Sequence, residues 1–167
     1  HDVPEDFIAQ QIRLVIDDIG ADALKTGMLN KESVINIVAD TIADYPNIPL
    51  VLDPVMFAKG GSALLHESAI STLKKRLIPR ANIITPNIPE AEHLSEISIK
   101  NIDDMRKAAQ IIMGFGSKSV LIKGGHMDSD TITDLLVSEE GEAIFEHPRV
   151  ISKHTHGTGC SLASAIA

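Results

Sequence analysis

Along PEDFIAQQIRLVIDDIG the apolar positions Ile8, Ile12, Val15, Ile16 and Ile19 recur at helical spacing, and Gly20 supplies a natural stop. ADALKTG reads as a short apolar strand. KESVINIVADTIADY is helical again, with Asn30 as the expected N-cap. IPLVLDPV is a buried strand ending at Asp53–Pro54, HESAISTLKKRLIP a helix stopped by Pro79, and ANIITPN a strand closed by a Pro–Asn turn. PEAEHLSE opens a helix with Pro89 in its first turn. DDMRKAAQIIMGFG is a helix with Asp103 as cap and Gly114 or Gly116 as stop, and SVLIKGG is a strand running into two glycines. TITDLLV and EAIFEH flank the turn Ser138–Glu139–Glu140–Gly141 as a β-hairpin, and SLASAIA starts a last helix.

Strands alternating with helices through short turns predict an α/β fold with a mostly parallel sheet. In such sheets ligands sit beyond the carboxyl ends of the strands. Those ends carry Lys25–Thr26–Gly27–Met28, Asp53–Pro54–Val55–Met56, Thr85–Pro86–Asn87 and Lys123–Gly124–Gly125–His126, so polar and glycine residues gather where a ligand would lie. The chain opens on a helix, has no initiator Met and stops about two turns into another helix. The expectation is a single partial domain over residues 1–167, truncated at both ends, with unpaired sheet edges that favour homo-oligomers.

Composition narrows the partners. With 15 Lys and Arg against 23 Asp and Glu, the net charge of −8 offers no broad basic surface for nucleic acid. An anionic ligand must be held locally, by helix ends, a few lysines and metal ions. Aromatics are 3% of the 167 residues and Trp is absent, so Ile, Leu, Val and Ala must build the core. A single cysteine leaves no internal disulfide, which fits a reducing cytoplasm. No signal peptide is evident, and no apolar run approaches the roughly 18 residues of a membrane span.

The stretch HTHGTGCS at 154–161 holds the densest chemistry. His154 and His156 share a face if the segment is extended, but no third metal ligand at suggestive spacing accompanies them. GTGCSL is a broken dinucleotide fingerprint, with Leu162 in place of the third glycine, and no Walker A loop occurs. What remains is two glycines at a helix start, where main-chain N–H groups and the helix dipole make an anion site and favour the thiolate of Cys160. A Gly-containing turn before a helix, with a small cysteine, fits the same residues. Elsewhere Asn87 and Glu90 put an amide and a carboxylate three residues apart at a helix start, which suits a hard cation or a simple dipole complement. Lys123 before Gly124–Gly125 suits a polyphosphate or a surface turn, and Asp53 before Pro54 suits catalysis or a turn cap.

Taken in order, DDIGADALKTGML, VLDPVMFAKGGSALL, LIPRANIITPNIPEAEHL, VLIKGGH and THGTGCSLASAIA resemble the ribokinase-like superfamily, and within it the hydroxymethylpyrimidine/phosphomethylpyrimidine kinases of thiamine biosynthesis. The resemblance spans nearly the whole chain, and Cys160, where most of the superfamily has Asp, is its most specific element. It implies a three-layer α/β/α fold with a C-terminal hairpin. It also implies ATP- and Mg²⁺-dependent phosphorylation of 4-amino-5-hydroxymethyl-2-methylpyrimidine and then of its monophosphate. Gly157, Thr158, Gly159 and Cys160 then form the anion hole, with Cys160 as the base. Lys123 contacts nucleotide phosphates, Asn87 and Glu90 hold Mg²⁺ through its waters, Asp53 lies beside them, and Met28 and Val55 border the pyrimidine. A Cys-containing pyridoxal kinase and a non-catalytic pyrimidine-binding module are the alternatives. A redox enzyme would rest on Cys160 alone, without a resolving cysteine.

Overall fold

The structure is a computed structural model and describes residues 3–57, 64–152 and 155–167. Six strands form one sheet in the sequential order β1 (Leu24–Thr26), β2 (Leu50–Leu52), β3 (Ile83–Ile84), β4 (Ser119–Ile122), β5 (Thr131–Ser138) and β6 (Gly141–Pro148). The first four run parallel, and β5 and β6 return antiparallel as the hairpin. The helices are α1 (Glu5–Asp18), α2 (Glu32–Ala43), α3 (Glu67–Arg76), α4 (Ile88–Ser95), α5 (Ile102–Met113) and α6 (Thr158–Ile166). Because β1 to β4 step steadily across the sheet, right-handed crossovers put α2, α3 and the α4–α5 pair on one face. α6 then returns against β2, giving the three-layer α/β arrangement. Among the described residues no helix is long and apolar enough to cross a membrane.

The inner parallel strands β2, β3 and β4 are apolar apart from Ser119 and mostly buried, since both their faces are covered, whereas β1 carries Lys25 and Thr26 and is half-buried. Leu50, Leu52, Ile84 and Ile122 are fully buried, in one core with Ile35, Leu94 and Ile112 from the helices and Leu77 from the C-cap of α3. Each such side chain contributes about 1.5–3 kcal/mol on burial, so aliphatic residues alone build the core. In the hairpin, Ser138 pairs with Gly141 across the turn, Leu135 points into the core, and every residue of β6 is exposed.

Two helix starts differ from the sequence reading. The α2 N-cap is Lys31 rather than Asn30, and no side chain caps it. The α5 N-cap is Asn101, whose side chain accepts from the Asp104 N–H, so Asp103 sits inside the first turn. Ahead of Pro79, α3 ends at Arg76, and Ile78–Arg80 forms a separate 3₁₀ turn. α6 begins at Thr158, so Gly159 and Cys160 lie within the helix rather than before it. His154 and part of VLDPVMFAKGGSALL lie outside the described residues.

Candidate active site

The carboxyl ends of β2, β3 and β4 converge through their own register. Asp53 follows β2, and its N–H bonds to the Thr26 carbonyl of β1 at 3.0 Å. Thr85 follows β3, and its hydroxyl donates to Asp53 Oδ1 at 3.3 Å. Lys123 follows β4; its N–H donates to the Pro86 carbonyl at 2.9 Å, and its ammonium lies 3.1 Å from Asp53 Oδ1. Asp53 is 2% exposed and Thr85 is fully buried, so this is an enclosed ion pair with a hydroxyl on the same oxygen. Enclosed charges are tolerated when paired and hydrogen-bonded, as here.

Asn87 and Glu90 form a complete capping box at the start of α4. The Glu90 N–H donates to Asn87 Oδ1 at 3.0 Å, and the Asn87 N–H donates to Glu90 Oε2 at 2.8 Å. This is the structural reading of the Asn–x–x–Glu spacing, met in full. Glu90 is nevertheless only 3% exposed, far more buried than a cap requires, and Oε1 also accepts from the Met56 N–H at 3.4 Å. Burial raises its pKa above the ordinary value; the Asn87 N–H and Lys123 oppose this, and the nearby charge of Asp53 adds to it. Asp53, Glu90 and Lys123 therefore form one electrostatic unit of two acids and one base.

The α6 start reaches the same unit. A methyl group on Gly159 would lie 3.1 Å from Lys123 Nζ, so the ammonium sits against this residue. Gly157 is the N-cap at φ +83°, the left-handed region that glycine adopts freely, and the Ser161 N–H closes the first helical bond to its carbonyl. Thr158, Gly159 and Cys160 are then the first three helical residues, whose amides have no intrahelical acceptor. Among the described residues no side chain caps this end, and Thr158 turns its hydroxyl back to the Thr155 carbonyl at 3.1 Å. Cys160 is exposed, as is His156. The result is a positively polarised, uncapped helix end with a lysine and a thiol beside it, an arrangement able to take up a phosphoryl group.

Met28 and Val55 follow the ends of the paired strands β1 and β2 and so share this edge of the sheet. Met28 is 57% exposed and Val55 half-buried. Thr85, Asp134 and Arg149 are polar neighbours that sequence reasoning left unassigned. Asp134 Oδ1 accepts the Gly124 N–H at 2.8 Å, and its signal was an acid interrupting the apolar run TITDLLV. Gly124 itself admits no side chain, since a Cβ there would stand 2.0 Å from the Thr133 carbonyl oxygen.

A sequence model for the family described as phosphomethylpyrimidine kinase matches residues 1–167. The hydroxymethylpyrimidine/phosphomethylpyrimidine kinase of Bacillus subtilis is 45% identical over 167 residues, covering 99% of this chain and 62% of the relative. The crystal structure of phosphomethylpyrimidine kinase from Clostridium difficile superposes with a TM-score of 0.82 at 34% identity, covering 100% of this chain and 78% of the other. An ADP complex of Bacillus subtilis pyridoxal kinase superposes with a TM-score of 0.89 at 36% identity, covering 98% and 62%. The three-layer ribokinase-like expectation thus holds.

Proposed function

The chain belongs to the phosphomethylpyrimidine kinase family, and from that premise we propose that the protein transfers the terminal phosphoryl of ATP to the hydroxymethyl group of an aminopyrimidine, and then to its monophosphate, in thiamine biosynthesis. The observation that carries this reading is the meeting of Lys123 with the uncapped start of α6. Phosphoryl transfer asks the protein for positioning and for charge stabilisation on the equatorial oxygens. The amides of residues 158–160 supply donors, and each well-placed donor is worth about 2.7–4 kcal/mol, or roughly 10²–10³ in rate. Gly157 sets their direction through its left-handed backbone.

Cys160, exposed in the first turn of α6, accepts the proton of the attacking hydroxyl. A thiolate is a weak base for an alcohol, so this role requires proton transfer to come late, as a loose transition state permits. Lys123, held by Asp53 in the structure, moves its charge onto the nucleotide phosphates. Met28 and Val55 border the pyrimidine at the β1–β2 edge.

The residues suit Mg²⁺. The described residues hold no cluster of three or more His, Cys, Asp or Glu side chains that could cage an ion directly. Mg²⁺ keeps several waters and is commonly held by one or two carboxylates plus substrate phosphates, which Asp53, Glu90 and the Asn87 amide can accommodate. When bound, the ion neutralises charge on the transferred group.

Pyridoxal is the second candidate substrate, favoured by the superposition on pyridoxal kinase. Both compounds carry a hydroxymethyl group on a heteroaromatic ring. ADP release by the full-length protein with each alcohol separates them. Turnover of the pyrimidine alcohol and of its monophosphate is the expected result. Rapid turnover of pyridoxal beside none of the pyrimidine overturns it, and no turnover of either favours a binding module.

A further inference from the structure

The turn between β4 and β5 starts at Lys123 and is fixed from two sides. At its start, Asp134 Oδ1 accepts the Gly124 N–H at 2.8 Å, and Gly124 lies flat against the Thr133 backbone. Farther along, three alternate carbonyls converge on one guanidinium. Arg149 Nη1 donates to the Gly125 carbonyl at 3.0 Å, Nη2 to that of Met127 at 2.5 Å, and Nε to that of Ser129 at 2.6 Å. The main-chain N–H of Arg149 donates to the Asp130 carbonyl at 2.7 Å.

Arg80 also turns its guanidinium to carbonyls, those of Tyr45 and Ile48, but through one nitrogen, whereas Arg149 uses three nitrogens to hold three carbonyls of a single turn. Arg13, Arg76 and Arg106 all pair with carboxylates on the surface, whereas Arg149 forms no ion pair among the described residues and directs its charge at carbonyl dipoles. The planar fork is what lets one side chain hold three acceptors; a lysine ammonium carries the charge but not the geometry. His126 lies within this turn, and burial together with the charges of Lys123 and Arg149 lowers its pKa. The turn therefore lies between two cations, one aimed at the α6 start and one gripping its carbonyls.

We propose that Arg149 is a positioning residue for the nucleotide phosphates: it fixes the 124–129 turn, and thereby the direction in which Lys123 is presented, without touching substrate. The inference rests on the kinase reading in taking a nucleotide as the ligand of Lys123. It concerns binding geometry rather than the proton transfer assigned to Cys160.

The test uses the full-length protein as wild type, Arg149→Lys and Arg149→Ala. It measures the ADP dissociation constant by calorimetry, KM for ATP and for the alcohol, and the melting temperature. Without its charged hydrogen bonds the turn opens locally and must re-form before the phosphates are held, which passes their loss on to ADP binding as a weakening of about tenfold or more. Both variants are expected to lose at least that in ADP affinity, with KM for the alcohol within about twofold and melting little changed. Arg149→Lys should resemble Arg149→Ala rather than wild type, and added guanidinium should restore ADP affinity to Arg149→Ala. ADP affinity unchanged in both variants overturns the proposal. So does a joint loss of both KM values and of melting temperature without guanidinium recovery, which marks a purely structural residue. If Arg149→Ala does not fold, Arg149→Lys decides by the same constants. A wild type that binds ADP but phosphorylates no alcohol overturns the proposed function alone, and the ADP constants still judge Arg149. A wild type that binds no ADP overturns both.

Discussion

At the ends of β2, β3 and β4 the polar atoms are committed to one another: Asp53 to Thr85 and Lys123, Glu90 to Asn87 and Met56, all buried or nearly so. At the start of α6, in contact with them through Gly159, the opposite holds. Gly157, Thr158 and Cys160 are exposed and Gly159 is half-buried, no side chain among those described caps the helix, and the leading amides stay outside the helical ladder. The first region gives rigidity and places a charge. The second offers donors whose bonds are left for a ligand. Dividing the work this way keeps the cost of burying charge within the sheet and leaves the amides of the α6 start free of competing partners.

The largest effect should come from breaking the committed side. Lys123→Met leaves the Asp53 carboxylate enclosed without its cation, which costs about 3–5 kcal/mol in denaturant unfolding. Adding Asp53→Asn should recover part of this loss. A Lys123→Met variant as stable as wild type would show that the ion pair contributes no net stability. Next is the open side, through Cys160→Ala. An exposed residue outside the core should change stability by less than about 0.5 kcal/mol. Loss of a general base should lower kcat by about 10²–10⁴ with ADP affinity intact. Unchanged turnover removes the base assignment, and lost stability denies the separation of the two regions.

Gly157→Ala sharpens the contrast further. Among the described residues, no atom beyond its two chain neighbours lies within 4 Å of the added methyl, so the expected penalty is that of the left-handed backbone, about 1–2 kcal/mol by thermal unfolding. A larger loss would mean that the α6 start is packed rather than open. The smallest effect concerns Glu90, whose pKa burial raises above 4.5. The folded state holds that proton more tightly than the unfolded chain. Its contribution is therefore full below about pH 4.5 and is lost as pH rises through the raised value. Glu90→Gln keeps an acceptor for the Asn87 N–H but cannot titrate. The wild-type melting temperature should fall relative to the variant across that interval, and parallel curves would contradict the raised value.

Much of this was readable from the chain. The alternation of apolar strands and amphipathic helices located the six strands and six α-helices, though not the 3₁₀ turns, because its spacing is a local property. Boundaries were less secure where two polar residues competed. In Lys100–Asn101–Ile102–Asp103, the apolar Ile102 belongs to the helix, which makes Asn101 the cap. The site was legible as a set of strand ends, since Asp53, Asn87 and Lys123 each close a predicted strand. Its internal bonding was not. The Asn87–Glu90 capping box could have been recognised from spacing, but the burial of Glu90 depends on Met56, which belongs to another strand end. Arg149 gave no signal at all, because its three partners are main-chain carbonyls and carbonyls carry no sequence identity.

The pairing of Asp53 with Lys123 spans 70 residues. During synthesis the aspartate leaves the ribosome first, and at about 5–20 residues per second it waits roughly 4–14 s for its lysine to appear. Until then its carboxylate must stay hydrated, so the end of β2 cannot take its final enclosed form early. The nascent strands thus have a built-in delay, and the sheet edge that carries Asp53 is completed only after β4 has been made.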